Sequence, residues 1–521
     1  MREGCFRLGT EREKCYTATM STLSMRGTRD MTKGSPSRLM VGFALPILLS
    51  QIFQQLYNTA DAFIVGKYLS TASLAAVTSS GPLIFLLTSF FIGMAQGAGV
   101  TISRYFGAGD HEKVSRAIHT NLVFGLICGV ALSLIGSLLA PVLLGLMNLD
   151  PAILPKAVEY FRYYFIGSAA MVMYNVCRGI MNALGDSKRP LIFLIISSLL
   201  NILLDWLFVG VFGWDVWAAA VATVISQLTS VVLCLIVLSR KGKVYSVSWR
   251  KLRLHKDMLV EIIRYGLPGG VQNSVIAIAN VLVQSQINSF GLYATTEYGV
   301  YSKLEGFAFL PITSFTMAIS TFVGQNLGAG QVDRAKKGAR FGILSSMILA
   351  ETIGIVFFFT AKHLVALFDA SPEVLALGEV HARITSLFFC LLAFSHAIAA
   401  VCRGAGKAVV PMCIMLAVWC VLRVVYIVVV MQFVHRIEMI YWAYPITWSV
   451  SSVIYFFYYK FSNWTTAFAS KTQEPPDEEQ PDEAHQADPQ EARQVEPNEE
   501  DVASIFAEMQ KQESPQMHDD E

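Results

Sequence analysis

The stretch LIFLIISSLLNILLDWLFVGVF, residues 191–212, holds a single charged residue, Asp205. Its apolar residues run on instead of recurring at a helical or strand period. A run of that length crosses the hydrocarbon core of a bilayer as a helix. Residues 221–238 (VATVISQLTSVVLCLIVL) repeat the character without any charge. Over all 521 residues, 54% are hydrophobic and 15% charged. Soluble domains carry about 25% charged residues. The first 30 residues have no apolar core. The first apolar block, residues 39–56, runs straight on without a small-residue cleavage site, so it reads as a spanning helix and not as a cleavable leader. The nine cysteines show no metal-ligand spacing. Seven of them (Cys128, Cys177, Cys234, Cys390, Cys402, Cys413, Cys420) sit in or beside apolar blocks, where thiols pack as small apolar groups.

The apolar blocks predict an all-α membrane protein of twelve helices, at about 38–66, 74–101, 119–147, 160–184, 190–213, 215–240, 258–290, 298–325, 338–362, 375–402, 408–432 and 440–464. Pro46, Pro268 and Pro311 fall inside spans and should bend them. Lys and Arg alternate between the two sides. One side holds Arg38, Arg104, Lys113, Arg116, Lys188, Arg189, the run from Arg240 to Lys256, Arg334 to Arg340, Arg403, Lys407 and Lys460. The other holds little beyond Lys67, Lys156, Lys362 and Arg436. The positive-inside rule makes the first side cytoplasmic, with both termini there, in a multi-pass protein of the cell (inner) membrane.

The chain repeats itself at a shift of about 221 residues. Phe43-Ala44-Leu45-Pro46 answers Tyr265-Gly266-Leu267-Pro268. Gly107-Ala108-Gly109 answers Gly328-Ala329-Gly330. Asp150-Pro151 answers Ser371-Pro372, and Gly185 and Pro190 answer Gly406 and Pro411. Four matches in order predict two pseudo-symmetric six-helix lobes, residues 36–240 and 258–465, joined by a cytoplasmic linker, 241–257. Residues 1–35 form a polar extension, disordered or lying before the true start. Residues 466–521 form an acidic tail with 17 acidic and 3 basic residues, which leaves the rest of the chain at about +15. The tail has too little apolar surface to offset the entropy of ordering. Within it Val502, Ile505, Phe506 and Met509 have helical spacing.

Charges inside a membrane need a reason. Asp61 lies in the first span, where Gln51, Gln54, Asn58 and Asp61 form one polar stripe facing the bundle interior. Asp205 lies in the fifth span, with Asn201 one turn before it, and the sixth span offers Thr223. Asp61 and Asp205, supported by Asn201 and Thr223, make a carboxylate pair able to hold a proton in low dielectric. The same oxygens suit Na⁺. An Asp near a span end that merely faces water is the plainer alternative, disfavoured by the amide neighbours. At the repeat offset Asp205 becomes Tyr426 and Asn201 becomes Leu422, so ion coupling is expected in the first half only.

Weaker candidates for substrate contact or support are Gln54, Asn58, Asn182, Asn280, Gln284, Lys303 and Glu305. Lys303 and Glu305 open the eighth span and could pair with each other or with substrate. Glu351, in the middle of the ninth span, is either a second protonatable site or the sign of a shifted span, and His396 and Arg423 are ambiguous in the same way, a lone His being more often hydrogen-bonded core than a ligand. Tyr441, Trp442, Tyr444 and Trp448 read as an interfacial aromatic belt. No phosphate-cradling Gly-x-x-x-x-Gly-Lys-Ser/Thr loop, metal-ligand set or nucleophile constellation is present. The chain therefore reads as neither an ATPase nor an enzyme, with no cofactor, no metal beyond a coupling Na⁺ and no nucleic-acid partner. Its energy would come from H⁺ or Na⁺. One charge moving through 100 mV supplies about 2.3 kcal/mol. Small amphipathic substrates and membrane lipids are the expected partners, and a monomer is expected. The embedded groups, mainly amides and acids, favour cationic or neutral amphiphiles.

Leu45-Pro46, Gln54-Gln55-Leu56-Tyr57-Asn58-Thr59-Ala60-Asp61 and Val65-Gly66 resemble the first helix of the multidrug and toxic compound extrusion (MATE) family. Phe106-Gly107-Ala108-Gly109, Gly324-Gln325-Asn326-Leu327-Gly328-Ala329-Gly330, Asn182-Ala183-Leu184-Gly185-Asp186 and Asn201-Ile202-Leu203-Leu204-Asp205 fit as well. The resemblance covers about residues 36–464 and is nearest the bacterial DinF-like branch. It implies two six-helix lobes in a V and cation-coupled export of amphipathic drugs. It also implies an ion site at Asp61, Asn201, Asp205 and Thr223. The alternatives are a lipid-linked oligosaccharide flippase of the same superfamily and a non-transporting membrane scaffold.

Overall fold

The computed structural model describes residues 29–69, 71–145, 151, 153–240 and 245–466, without the side chains of 71, 72, 74, 78 and 82. Residues 1–28, Asp150 and the acidic tail from 467 onward lie outside the described residues. Helix is the regular structure throughout the described residues. The helices are α1 (Pro36–Tyr68), α2 (Thr71–Ala108), α3 (His111–Gly145), α4 (154–183), α5 (Lys188–Val211), α6 (Trp217–Leu238), α7 (Lys256–Asn288), α8 (Leu292–Gly328), α9 (Val332–Ala366), α10 (Pro372–Gly404), α11 (Val409–Phe433) and α12 (Ile437–Phe461). Ten of them are long and apolar enough to cross a bilayer by length and composition. The remaining two are α4, interrupted at Gly167, and α12.

The repeat is carried by helix punctuation. Gly109 and Gly330 take φ of 73° and 71°, and Gly185 and Gly406 take 81° and 77°. A side chain is disfavoured in that left-handed region, whereas glycine enters it freely. Each of the four closes its helix in the same way. Asp110 N bonds Tyr105 O, Asp186 N bonds Met181 O, Gln331 N bonds Asn326 O and Lys407 N bonds Cys402 O, all at 2.8–3.1 Å. These are the 6→1 bonds of a Schellman cap. The interruption of α4 at Gly167 is answered by a 3₁₀ turn in α10, Ser386–Phe388. There Glu351 of α9 accepts the amide of Cys390 at 3.0 Å, satisfying backbone that the break leaves open.

The two halves meet through glycine. A methyl group on Gly93 would run into the backbone of Gly269 and Gly270, one on Gly97 into Gly266, one on Gly107 into Gln325 and one on Gly328 into Arg104. These positions place α2 backbone against α7 and α8 backbone. Gly93 and Gly97 are four residues apart, as are Gly266 and Gly270, which is the small-xxx-small spacing of close membrane-helix contacts. Polar ties surround them. The Tyr105 hydroxyl reaches both Glu261 oxygens at 3.1 Å, and Gln325 Nε2 donates to Ala183 O at 2.8 Å across the halves. Residues 29–35 join the same end. Met31 is fully buried and its N–H donates to Gln325 Oε1 at 2.9 Å, while Arg334 donates to Met31 O and Gly34 O. That part of the N-terminal extension is thus packed into the fold. All these contacts adjoin the Lys/Arg-bearing connections, and we call this the basic end.

Further from the basic end, Asn273 Nδ2 donates to Ser89 O at 3.3 Å, and Gln51 bonds Thr313 and Ser314 of α8. Between the halves α2 and α7 flank a cavity of about 650 Å³, whose lining includes Ser89, Asn273 and Thr313 and reaches Gln96 and Arg403. Outward faces are apolar, with Val130, Leu134 and Leu138 in a row on α3 and Leu344, Ile348, Ile355 and Phe359 on α9, all exposed. Such faces suit lipid.

Several spans begin earlier than expected, the third at His111 instead of 119, the fourth at Leu154 instead of 160 and the ninth at Val332 instead of 338. The eighth was expected from residue 298, but α8 begins at Leu292. Its first turns hold Thr295, Thr296 and Glu297, polar residues whose hydroxyls fold back onto helix carbonyls and whose acid is buried. The second helix likewise begins at Thr71, before the expected 74.

The glycine contact predicts a position-specific cost. Gly97→Val should destabilise the detergent-solubilised protein by about 1–3 kcal/mol, the range for overpacking. Gly99→Ala, whose methyl would meet Gly179 O at an ordinary 3.7 Å, should cost far less. Thermal unfolding of the two variants checks the difference.

Candidate functional site

In the first half, α5 carries Ser197, Ser198, Asn201 and Asp205, all buried, along one face. Directly after Asp205 the helix widens into a π-helical segment, Trp206–Val211. Such segments shift the register of side chains and recur at functional positions. Asp205 is fully buried. Asp61 comes to it from α1, and the two carboxyls lie within hydrogen-bonding reach of each other. Asn201 Nδ2 donates to Thr223 Oγ1 of α6 at 3.4 Å. Among the described residues, no protein N–H or O–H reaches either Asp205 oxygen, Asp61 Oδ1 or Asn201 Oδ1. Buried polar groups normally have partners, so these oxygens are arranged for something the protein does not supply. Oxygen donors of this kind suit a proton or a hard cation.

Three tyrosines surround the pair and were not anticipated. Tyr160 lies in electrostatic range of both carboxyls, and Tyr57 and Tyr164 lie in range of Asp61. Gln54 and Gln227 lie near the Tyr57 hydroxyl, and Gln227 Oε1 is itself buried without a partner among the described residues. Gln227 follows Thr223 by one turn on α6, a spacing that could have flagged it. The polar stripe on α1 does not act as one. Gln51 turns to α8, Asp61 to α5, and Asn58 is exposed.

The large cavity lies chiefly against the second half. Phe85, Ser89, Gln96, Asn273, Asn280, Glu305, Phe309, His396, Trp419, Arg423, Tyr444 and Trp448 are among its lining residues. Glu305 and Asn280 thus face the cavity, whereas Gln284 bonds Asn288 at 2.8 Å and does not line it. A small adjoining cavity of about 70 Å³ is lined by Gln96, Asn175, Arg178, Asn182, Thr316, Met317 and Arg403, among others. Arg403 belongs to both.

The structure corrects several expectations. Lys303 and Glu305 do not pair: Lys303 is exposed, with Nζ 5.8 Å from the Phe368 ring, and Glu305 turns the other way. They are two residues apart on a helix, which points them about 200° apart. Tyr444 and Trp448 line the cavity and Tyr441 is fully buried, so of the expected belt only Trp442 is exposed. Arg403 was assigned to a cytoplasmic loop, but it ends α10 and turns inward. The embedded groups are therefore not mainly amides and acids. Arg178 and Arg403 share a signal in the sequence, since each stands in the tetrapeptide Val-Cys-Arg-Gly, at 176–179 and 401–404.

The second half also holds an unanticipated acid. Glu297 is fully buried. His381 Nδ1 donates to it at 2.9 Å and the Tyr441 hydroxyl at 2.8 Å. The His381 ring is sandwiched between Tyr301 and Tyr441, with centroids 3.7 and 3.9 Å away. Every partner is satisfied here, in contrast to the first-half pair.

The MatE family model matches the chain twice, over residues 46–207 and 268–429. The chain belongs to the MatE family. The two matches reproduce the internal repeat. Among its relatives, the probable multidrug resistance protein YoeA of Bacillus subtilis is 30% identical over 444 residues, covering 83% of this chain and 96% of the relative. The probable multidrug resistance protein NorM of Thermotoga maritima is 26% identical, covering 73% and 82%. The FAD transporter of Shewanella oneidensis is 24% identical, covering 67% and 78%. Among solved structures, a multidrug resistance MATE family transporter of the MOP superfamily in an outward-facing conformation superposes with a TM-score of 0.77. The identity is 22%, and the match covers 86% of this chain and 99% of that one. This likeness carries the fold. As a MatE protein the chain is a multi-pass membrane transporter.

The Glu297 cluster predicts a stability effect. Glu297→Ala leaves His381 and Tyr441 without their buried acceptor and should cost about 3–5 kcal/mol. Glu297→Gln, which keeps an acceptor, should cost less. Denaturation of the purified variants measures both.

Proposed function

We propose that this MatE protein exports small amphipathic molecules in exchange for a cation, H⁺ or Na⁺, held at Asp61, Asp205, Asn201 and Thr223. The observation that carries the reading is the carboxylate pair, Asp205 fully buried and Asp61 half-buried, in which both Asp205 oxygens and Asp61 Oδ1 lack protein donors among the described residues. Two carboxylates that close in low dielectric repel unless a proton or a cation sits between them. The multidrug naming of YoeA and NorM supports the drug-export part.

In this reading the basic end is cytoplasmic, by the positive-inside rule, and the protein lies in the cell membrane with both helical termini inside. The glycine contacts close the cytoplasmic end, and the cavity between the halves receives substrate. Gln51, bonded across to Thr313 and Ser314, links the helix bearing Asp61 to the cavity-lining helix α8.

In proteoliposomes, an imposed pH or Na⁺ gradient should drive flux of at least one dye from a panel of cationic, zwitterionic and anionic fluorophores. Asp61→Asn and Asp205→Asn should each abolish the gradient-driven part. Gradient-independent flux, or flux unchanged in both variants, would refute the coupling.

A further inference from the structure

A membrane interior tolerates an arginine poorly unless it is paired or reaches water. Three arginines line the cavities between the halves. Arg178 donates to Asn175 Oδ1 at 2.8 Å, and Arg423 donates to Thr447 at 3.1 Å. Arg403 completes the set. No ion pair to any of the three is seen among the described residues. Against them stands one lining acid, Glu305, which lies in electrostatic range of Arg423. Arg423 also sits over the Tyr444 ring at 4.4 Å. It is therefore compensated in part; Arg178 has Asn175 and the Tyr174 ring, 5.7 Å away, but no acid beside it in the cavity lining, and neither has Arg403. The small cavity that these two share has no acid in its lining.

Unsatisfied groups point to the same space. Arg423 Nε is buried without a partner, as are His396 Nε2 and Asn182 Oδ1. Arg423 is 2% exposed and Asn182 5%. The wall above is aromatic, with Phe309, Trp419, Tyr444 and Trp448. A guanidinium presents planar pairs of donors that match a carboxylate or a phosphate.

We propose that the central cavity takes aromatic amphiphiles bearing an anionic group, whose carboxylate or phosphate seats on Arg178 and Arg403 while the ring lies along Trp419 and Tyr444. The proposal rests on the export reading and narrows its substrate class. Glu305 leaves room for an amine at the other end of the molecule, so zwitterions belong to the class and simple cations do not. Exchange of an inward cation for an outward anion is driven in both limbs by an inside-negative potential.

The test is calorimetric titration of the full chain in detergent with a matched pair, naphthalene-1-acetate and naphthalene-1-methylamine. The acetate should bind at least about tenfold more tightly. Arg178→Gln and Arg403→Gln should each lose about tenfold in acetate affinity, the scale of one charge-assisted hydrogen bond. Arg403→Lys should retain most of it, and Lys303→Gln on the outer surface should bind as wild type. Thermal unfolding of each variant separates lost binding from lost folding. Equal or tighter binding of the amine, binding of neither compound, or acetate binding unchanged in both glutamine variants would overturn the proposal. So would a dioctanoyl phosphatidylglycerol that outcompetes the acetate, which would mark the floor as a lipid-headgroup site. Acetate binding without gradient-driven flux would sink the antiport reading and spare this one. Gradient-driven flux confined to cationic dyes would do the reverse.

Discussion

The backbone of α2 rests directly on that of α7 at Gly93 and Gly97, and on α8 at Gly107. Each side chain added there would push the two halves apart. In lipid no hydrophobic force holds one helix to another, so contact depends on packing and on polar ties. Here the close packing runs from the basic end, where Tyr105–Glu261 and Gln325–Ala183 reinforce it, to the level of Phe90 and Ser89. Towards the other end the same two helices flank the cavity. A tight contact at one end and a cavity at the other let the halves tilt against each other, with the start of α1 moving with the second half, because Met40, Phe43 and Ile47 pack into its core beside Ile319, Phe322 and Ile343.

The halves share a frame but differ in chemistry. The four glycine caps, and the breaks at Gly167 and Ser386–Phe388, hold their equivalence. Onto it the first half places two carboxyls whose oxygens want a ligand. The second half places a closed network, Glu297 with His381 and Tyr441, that is already satisfied. In the proposed reading the first half holds the variable charge and the second half a fixed scaffold. Arginines on both sides then face the space between.

The sequence disclosed what physics makes local. Apolar runs longer than a bilayer fixed the helices, and Gly109, Gly185, Gly330 and Gly406 showed the repeat because only glycine serves their backbone angles well. Asp61, Asn201, Asp205 and Thr223 stood out because charge in lipid is costly, and the structure brings them together. What stayed hidden depends on direction. Glu297 was lost because hydropathy starts α8 too late. Lys303 and Glu305 looked like partners because spacing alone does not say which faces lipid. Arg403 passed as a loop-side charge and Arg178, inside the expected fourth span, went unremarked, although their shared Val-Cys-Arg-Gly setting was visible. Tyr160 and Tyr164 came from a helix whose rotation no sequence pattern settles.

The central claim is that ion at the Asp61–Asp205 pair and substrate in the cavity exclude one another, and such coupling must appear in equilibrium binding. The decisive measurement is the affinity of the purified protein for a cavity ligand as proton and Na⁺ concentrations are varied separately. The account predicts that affinity falls as one of the two ions rises, and that the dependence vanishes when both Asp61 and Asp205 are replaced by Asn. Affinity independent of both ions in the wild-type protein would contradict it.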